Sequence, residues 1–272
     1  MHQRYDKFQK SSYILAIVVF ILLVVCALFY MLLRKSKRRE QNISDELYTH
    51  TRSGLQNLKM MNISLRTSLK QSRTAMEQWE MGELINEPLN DRLRFAMVEL
   101  PFLTDMYIKE GYHIGLKVEK AFGQHVQEQL SSSARLYHFF DSMFLYIEPN
   151  TDPNSDPQEL FERIQDWVDT FKTSTPIDTH IRVGLADYPF LPRAYTAIND
   201  KELIDILLLS TEMAREHQTK DPASQWVHLQ AITHAPAASF VGSDIRHACQ
   251  QAIDKGLVKI HSSFDNEENN FN

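Results

Sequence analysis

The chain has 272 residues, of which 43% are hydrophobic, enough for one ordinary globular domain with an appendage. Its net charge of −6 argues against a nucleic-acid binder, which would carry a basic face. The two cysteines are Cys26, inside an apolar run, and Cys249, near the end; this excludes a disulfide framework and a cysteine-based metal site and fits a reducing compartment.

Residues 1–12 form a short, polar N-terminus. Tyr13–Leu33 follows with 21 uncharged residues, which at ~1.5 Å per residue span roughly 31 Å, one bilayer core. Tyr13 and Tyr30 sit near the two ends, where aromatic rings favour the interface. A signal peptide would have a shorter apolar region ending in small residues. Here the run ends in Arg34, Lys35, Ser36, Lys37, Arg38 and Arg39. That excess of positive charge over Arg4, Lys7 and Lys10 predicts an uncleaved single-pass anchor with the N-terminus outside and the C-terminal part in the cytoplasm. The basic run also has the composition to touch anionic lipid, although acting as a topology signal is enough to explain it.

Residues 34–63 read as this basic segment continued by an amphipathic linker helix. From Glu40 to Asn62, Ile43, Leu47, Leu55, Leu58 and Met61 fall close to one helical stripe. The pattern fits a two-stranded coiled coil, and hence a homodimer, or a single helix packed on its own domain; His50 and Gly54 would be poor seam residues.

The remaining elements alternate. Leu93–Leu100 is a buried strand and Lys117–Leu130 an amphipathic helix. Tyr137–Pro149 is a hairpin whose second strand is Met143–Ile147, reached through a polar step at Asp141 and Ser142. Asn150–Pro157 is a loop by its Asp, Asn and Pro content. Gln158–Phe171 is a helix, Thr179–Ala186 a strand, Asp187–Pro192 a turn, Asp200–His217 a helix and Trp226–Ile232 the last strand. Asp244–Lys255 reads as a short terminal helix and Asn266–Asn272 as a disordered tail. Alternating strands and helices predict an α/β class with a central sheet flanked by helices.

This order, with its local sequences, resembles the GGDEF (diguanylate cyclase) domain family over about residues 64–232, leaving 233–272 as a C-terminal extension. Thr67–Arg73 is similar to the family's opening "LTGLxNR" turn. Phe95–Leu103 is similar to its first strand and metal-bearing loop, with Glu99 at the first acidic position. Gly111-Tyr112-His113-Ile114-Gly115 resembles "GHxxG", Phe139–Met143 stands where the signature GGDEF would be, and Val183–Pro189 resembles "SIGVAxYP". Ala214-Arg215 resembles the "AK" of the last long helix. The resemblance implies a nucleotidyl-cyclase-like sheet and a bacterial setting.

The departures carry the functional expectation. In the family, acidic side chains and a backbone carbonyl hold divalent ions that activate a ribose hydroxyl and neutralise a triphosphate, charge that phosphoryl transfer depends on. Here the signature reads Phe139-Phe140-Asp141-Ser142-Met143. Ser142 replaces its Glu, Pro101 replaces the second acidic residue of the first loop, and Thr104 replaces the Lys of "FK". Two benzyl groups occupy places where glycine lets the backbone approach a nucleotide. The guanine-reading Asn and Asp correspond to Tyr107 and Leu116, and the Arg-x-x-Asp of the inhibitory product site to Leu130–Ser133. The resemblance therefore implies a degenerate, non-cyclising module, with no metal or other cofactor and vestigial metal or nucleotide positions at Glu99, Asp141 and Ser142.

Glu99 and Asp141 suffice for a weak Mg²⁺ or Mn²⁺ site, but a turn cap and a partly exposed strand-end carboxylate are the favoured account of them. His113, His125, His138 and His180 show no metal-ligand spacing on one helix face. Tyr137, Phe139, Phe140 and Tyr146 form an aromatic group that reads as a partner-binding patch or as the plug of a filled pocket. The expectation is a membrane-anchored regulatory or scaffolding protein acting through an unidentified protein partner at the cytoplasmic face of a bacterial inner membrane. The alternatives are a divergent GTP or cyclic di-GMP binder, including a residual cyclase, and a ligand-free structural subunit of a membrane complex.

Overall fold

The structure, a computed structural model, describes residues 22–23, 25–37, 39, 43, 46–88, 91–152, 154–195, 197–242 and 244–264. It divides into two units, Met1–Tyr48 and Thr49–Asn272. In the first, residues 22–23 and 25–37 are helical, and Leu22, Leu23, Val25 and the side chains from Leu28 to Leu33 are more than half exposed. No helix among the described residues is long and apolar enough to cross a membrane. Residues 13–21 and Val24 of the expected span, Arg38 of the basic run and the tail from Asn266 lie outside the described residues.

The second unit is a six-stranded sheet with helices on both faces. In chain order its elements are α1 (Leu58–Glu80), β1 (Leu93–Glu99), α2 (Pro101–Lys109), α3 (Tyr112–Gln129), β2 (Arg135–Phe140) and β3 (Met143–Pro149). They continue with α4 (Pro157–Asp169), β4 (Arg182–Tyr188), α5 (Asp200–Gln218), β5 (Gln225–Ala231), a 3₁₀ turn (Ala237–Phe240), α6 (Ile245–Asp254) and β6 (Val258–Ser262). The strand order is β2-β3-β1-β4-β5-β6. Only β4 and β5 run parallel, joined by the α5 crossover; the other neighbours are antiparallel.

Both faces are covered, so the central strands read as continuous apolar runs rather than alternating ones. On β1, Phe95 and Met97 join Met61, Leu65 and Leu69 of α1 and Leu203, Ile206 and Leu207 of α5. Ala96 and Val98 face the other way, toward Phe102 of α2, Phe122 and Val126 of α3, and Leu160 and Ile164 of α4. Helix α5 lies so close to β4 that a Cβ on Gly184 would come within 2.5 Å of Leu207, Ser210 and Thr211 atoms. At the other end of that strand Arg94 and Asp187 are direct cross-strand partners. Their side chains form a bidentate pair at 2.8 and 3.2 Å, with His228 Nε2 3.2 Å from the same carboxylate.

Several expectations change. The linker helix does not run through Glu40–Asn62. Residues 49–57 form a tight turn closed by a Thr49–Gln56 bridge, with Gly54 at φ +74 and the Asn57 side chain capping α1 through the Lys59 and Met60 amides. Left-handed backbone at a glycine and a strong N-cap end one helix and begin another. Thr67–Arg73, expected as a turn, lies inside α1, where Leu69 and Ser72 are buried. The compact unit thus begins at Thr49 rather than near residue 64. Trp226–Ile232 is not the last strand: β6 adds to its edge, and α6 with Ile245 and Cys249 enters the core, so 233–264 belongs to the domain. Helix α3 begins at Tyr112 rather than Lys117, and β4 runs from Arg182 through Tyr188, taking Asp187 out of the expected turn.

Candidate functional site

The site gathers where β1, β3, α2 and α3 meet. Strand β1 ends at Glu99, and the Leu100 amide donates to the Ser142 carbonyl at 2.9 Å, which ties the end of β1 to the β2–β3 turn. Pro101 opens α2 at its first position, where its missing N–H is no loss. The turn itself rests on Asp141, exposed and at φ +46, a left-handed conformation that Asp tolerates better than bulkier residues. Ser142 is buried.

The two carboxylates singled out from the sequence meet different fates. Glu99 is closed by two arginines: Arg215 of α5 donates at 3.0 and 3.2 Å, and Arg182 Nη1 of β4 lies 3.1 Å from Oε2. Asp141 faces a cavity of about 300 Å³ whose wall also includes Leu103, Thr104, Tyr107, Ile108, Ser142, Glu119 and Arg52. Thr104 and Tyr107, the positions expected to replace the "FK" lysine and a guanine-reading residue, are thus in the wall beside Asp141. Leu116 is half-buried on α3.

The sequence reading missed what closes the inner end of this cavity. Glu119, on the buried side of α3, accepts from the Tyr107 hydroxyl at 2.5 Å. Its other oxygen lies 3.5 Å from Arg52 Nε, 3.6 Å from His138 Nδ1 and 3.9 Å from His50 Nδ1. The His50 and His138 rings stack, with centroids 3.5 Å apart and planes at 11°, and Arg52 lies over the Tyr107 ring at 5.6 Å. His50 and Arg52 come from the 49–57 turn. That turn docks on α3 through the Ser53 carbonyl at Gly123 and Leu55, 2% exposed, and on β2 through the His138 amide, which donates to the Gln56 carbonyl at 2.8 Å. Gln56 bridges Tyr137 in parallel, so the turn also covers the outer strand β2, a protected edge in the usual sense.

Burial sets the protonation states here. It pushes the His138 ring down to about 3, with His50 and Arg52 adding to the effect and the Asp141 backbone opposing it slightly. The His50 ring is lowered by burial and by the Arg52 charge. The Glu119 carboxyl is raised by burial, against the opposing pull of the Tyr107 hydrogen bond and the Arg52 charge. Both rings are therefore neutral at physiological pH, with lone pairs rather than charges to offer. Among the described residues, His50, Glu119 and His138 are the group of three donors whose ligand atoms lie within 4.8 Å of one another.

The expected aromatic patch does not form. Tyr137 is fully buried against α1, and Tyr146 is buried on the opposite sheet face, where its hydroxyl donates to Glu148 at 2.8 Å. Strand alternation sends them to opposite sides. Phe139 packs against the α1-side core, and only Phe140 is exposed, its ring 5.0 Å from that of Phe139. The basic run is exposed at Arg34, Lys35, Lys37 and Arg39.

No protein-family model and no curated protein matches the sequence. Among solved structures, the S helix-GGDEF-EAL segment of Vibrio cholerae LapD, bound to c-di-GMP, aligns with a TM-score of 0.50 at 14% identity, covering 69% of this chain and 39% of that one. The diguanylate cyclase SiaD from Pseudomonas aeruginosa, in complex with its activator SiaC, aligns at 0.47 and 15% identity over 79% of this chain and 76% of that one. The coiled coil and GGDEF domain of DgcB from Caulobacter crescentus, in complex with c-di-GMP, aligns at 0.49 and 11% identity over 74% of this chain and 96% of that one. The chain has the fold of a GGDEF domain.

Proposed function

We propose that this chain is a membrane-anchored, non-cyclising GGDEF-fold module that works through protein contacts at the cytoplasmic face of a bacterial inner membrane. The observation that carries the reading is the state of Glu99, the one carboxylate kept from the first metal-bearing loop: two guanidinium groups already neutralise it. Phosphoryl transfer on this fold needs divalent charge at that place. The other support is steric. Arg52 of the chain's own 49–57 turn stands in the wall of the cavity beside Asp141, and phenylalanines occupy the positions of the signature glycines.

The anchor rests on the sequence of Tyr13–Leu33 together with Leu22, Leu23, Val25 and the side chains from Leu28 to Leu33, which stand exposed on a helix, a surface that lipid would cover. The partner surface is placed around the cavity mouth. Phe140 precedes Asp141 in the chain, Ile108 lies in the cavity wall, and exposed Tyr112 has its ring 6.0 Å from that of Tyr107.

Calorimetric titration of the full chain with GTP and Mg²⁺ and with cyclic di-GMP, run beside a turnover assay, tests the central claim. No turnover is expected, and formation of cyclic di-GMP would overturn it; binding without turnover would favour the nucleotide-binder alternative. Cross-linking in native membranes should capture one defined protein, lost on Phe140→Ala and Ile108→Ala together. A reporter fused after Asn272 should be active only in the cytoplasm.

A further inference from the structure

We propose that His50, Glu119 and His138 form a binding site for a divalent transition ion of the Zn²⁺ class, separate from Glu99 and Asp141. The chemistry of the donor set points there. Two imidazoles and one carboxylate suit Zn²⁺ and its first-row neighbours, whereas Mg²⁺ and Ca²⁺ prefer all-oxygen shells.

Three observations carry the site. Glu119 and His138 are 1% and 2% exposed, yet Glu119 Oε1 and the ring nitrogens of His138 lack a well-formed hydrogen bond, the ring meeting only a weak contact from the Asp141 backbone. Buried polar atoms left in this way are costly and call for an explanation. The spacing is close to what an ion needs. Two ligands at about 2.05 Å on a tetrahedral ion lie roughly 3.3 Å apart, against 3.6 and 3.9 Å from Oε1 to the two Nδ1 atoms. Finally, Glu119 also lines the cavity beside Asp141, which leaves room for a water or ligand at an open fourth position, as in sites that are not closed by protein alone.

The turn supplies the movable parts. The stacked rings must splay for both lone pairs to meet at one point, and His50, about a quarter exposed, is the ring with space to rotate; its Nδ1 then leaves the Ser53 hydroxyl, 3.3 Å away. Arg52 is the resident competitor. It holds the Oε1 side of Glu119 at 3.5 Å and is one-third exposed, free to swing outward when an ion enters. Tyr107 stays on Oε2, orienting the carboxylate as an outer hydrogen bond commonly does for a ligand.

The test uses the full chain purified in detergent, stripped with chelator and titrated at pH 7 with Zn²⁺, with Co²⁺ as an optical probe and Mg²⁺ as a control. One Zn²⁺ should bind per chain, Mg²⁺ should not compete, and Co²⁺ should develop visible absorption bands. His50→Ala, on a partly exposed turn and expected to fold, should weaken Zn²⁺ at least tenfold, as should Glu119→Gln. Arg52→Gln should tighten it about tenfold by removing the competing charge. His138→Ala should abolish binding, but because that ring is buried, the His50 variant carries the decision if the His138 variant fails to fold. Absence of saturable Zn²⁺ binding to the parent chain, or binding that His50→Ala leaves unchanged, would overturn the proposal.

Discussion

Gly123→Ala is the sharpest probe of the 49–57 turn. Helix α3 touches the turn at this glycine, where an added Cβ would lie 2.0 Å from the Ser53 carbonyl oxygen and 3.0 Å from its carbon. The obstacle is backbone rather than the end of a flexible side chain, so the turn must retreat by about an ångström or more. Retreat withdraws Leu55 from the core, worth about 1.5–3 kcal/mol for a buried leucine. It also breaks the hydrogen bond from the His138 amide to Gln56, worth about 1 kcal/mol. Against this, alanine gains about 1 kcal/mol over glycine in a helix interior. The net expectation is a loss of about 1.5–3 kcal/mol.

Chemical denaturation of the full chain measures that loss, and limited proteolysis should show faster cleavage within residues 49–57. The decisive version is a double-mutant cycle with Leu55→Ala. In the parent chain Leu55→Ala should cost about 2–3 kcal/mol; in the Gly123→Ala background, with the turn already displaced, it should cost little. Full additivity, or a Gly123→Ala chain as stable as the parent, would refute the claim that the turn is held by this contact.

Two other perturbations follow from the ion pairs. Asp187→Ala should cost about 3–5 kcal/mol by leaving the buried Arg94 guanidinium uncompensated, and Arg94→Met with Asp187→Leu should recover most of it; denaturation midpoints decide. Burial raises the Asp187 carboxyl, but the hydrogen bonds and charges of His228 and Arg94 outweigh that and hold it well below the usual carboxylate range. Its contribution is thus complete above the unfolded value of 3.8 and is lost as pH falls further. An acid titration of Asp187→Asn should show a flatter limb below about pH 4 than the parent. Glu99→Gln should cost about 1–2 kcal/mol, since Arg215 is half exposed and Arg182 partly so. It should not create cyclase turnover, and appearance of turnover would contradict the view that Glu99 is committed to the two arginines.

The sheet was readable because its strands are covered on both faces. Leu93–Leu100, Met143–Ile147 and Trp226–Ile232 are runs of apolar residues bounded by polar turns, and each is a strand within two residues. Strand β6 was not, because Val258–Ser262 places Lys259 and His261 on its exposed side, and a short edge strand of that pattern resembles a loop. The 49–57 turn was hidden by accident of spacing: Ile43, Leu47, Leu55, Leu58 and Met61 keep a helical period across a segment that is not one helix. The local signals were Gly54 and Asn57, a left-handed position followed by an N-cap. Tyr137 and Tyr146 looked like neighbours of Phe140, but each belongs to a separate core on its own side of the sheet. The His50–Glu119–His138 group could not be found by spacing, because its members come from a turn, a helix and a strand.

The placement of cations explains why a metal belongs at Glu119 and not at Glu99. At about 4 Å and an effective dielectric near 20, a divalent ion and a guanidinium repel by roughly 8 kcal/mol. At Glu99 two guanidinium groups would have to leave. Arg182 is anchored there, partly buried on β4 with its Nε also held by Gln218. At Glu119 one guanidinium has to leave, from a side chain that sits on a surface turn. The His138 ring it would leave behind is buried and without a well-formed hydrogen bond. The fold therefore commits the Glu99 carboxylate to internal pairing with Arg182 and Arg215. Its vacant donors lie one helix away, where an ion would pin the 49–57 turn to α3 and β2, and ion binding at Glu119 would then strengthen the same closure that Gly123→Ala weakens.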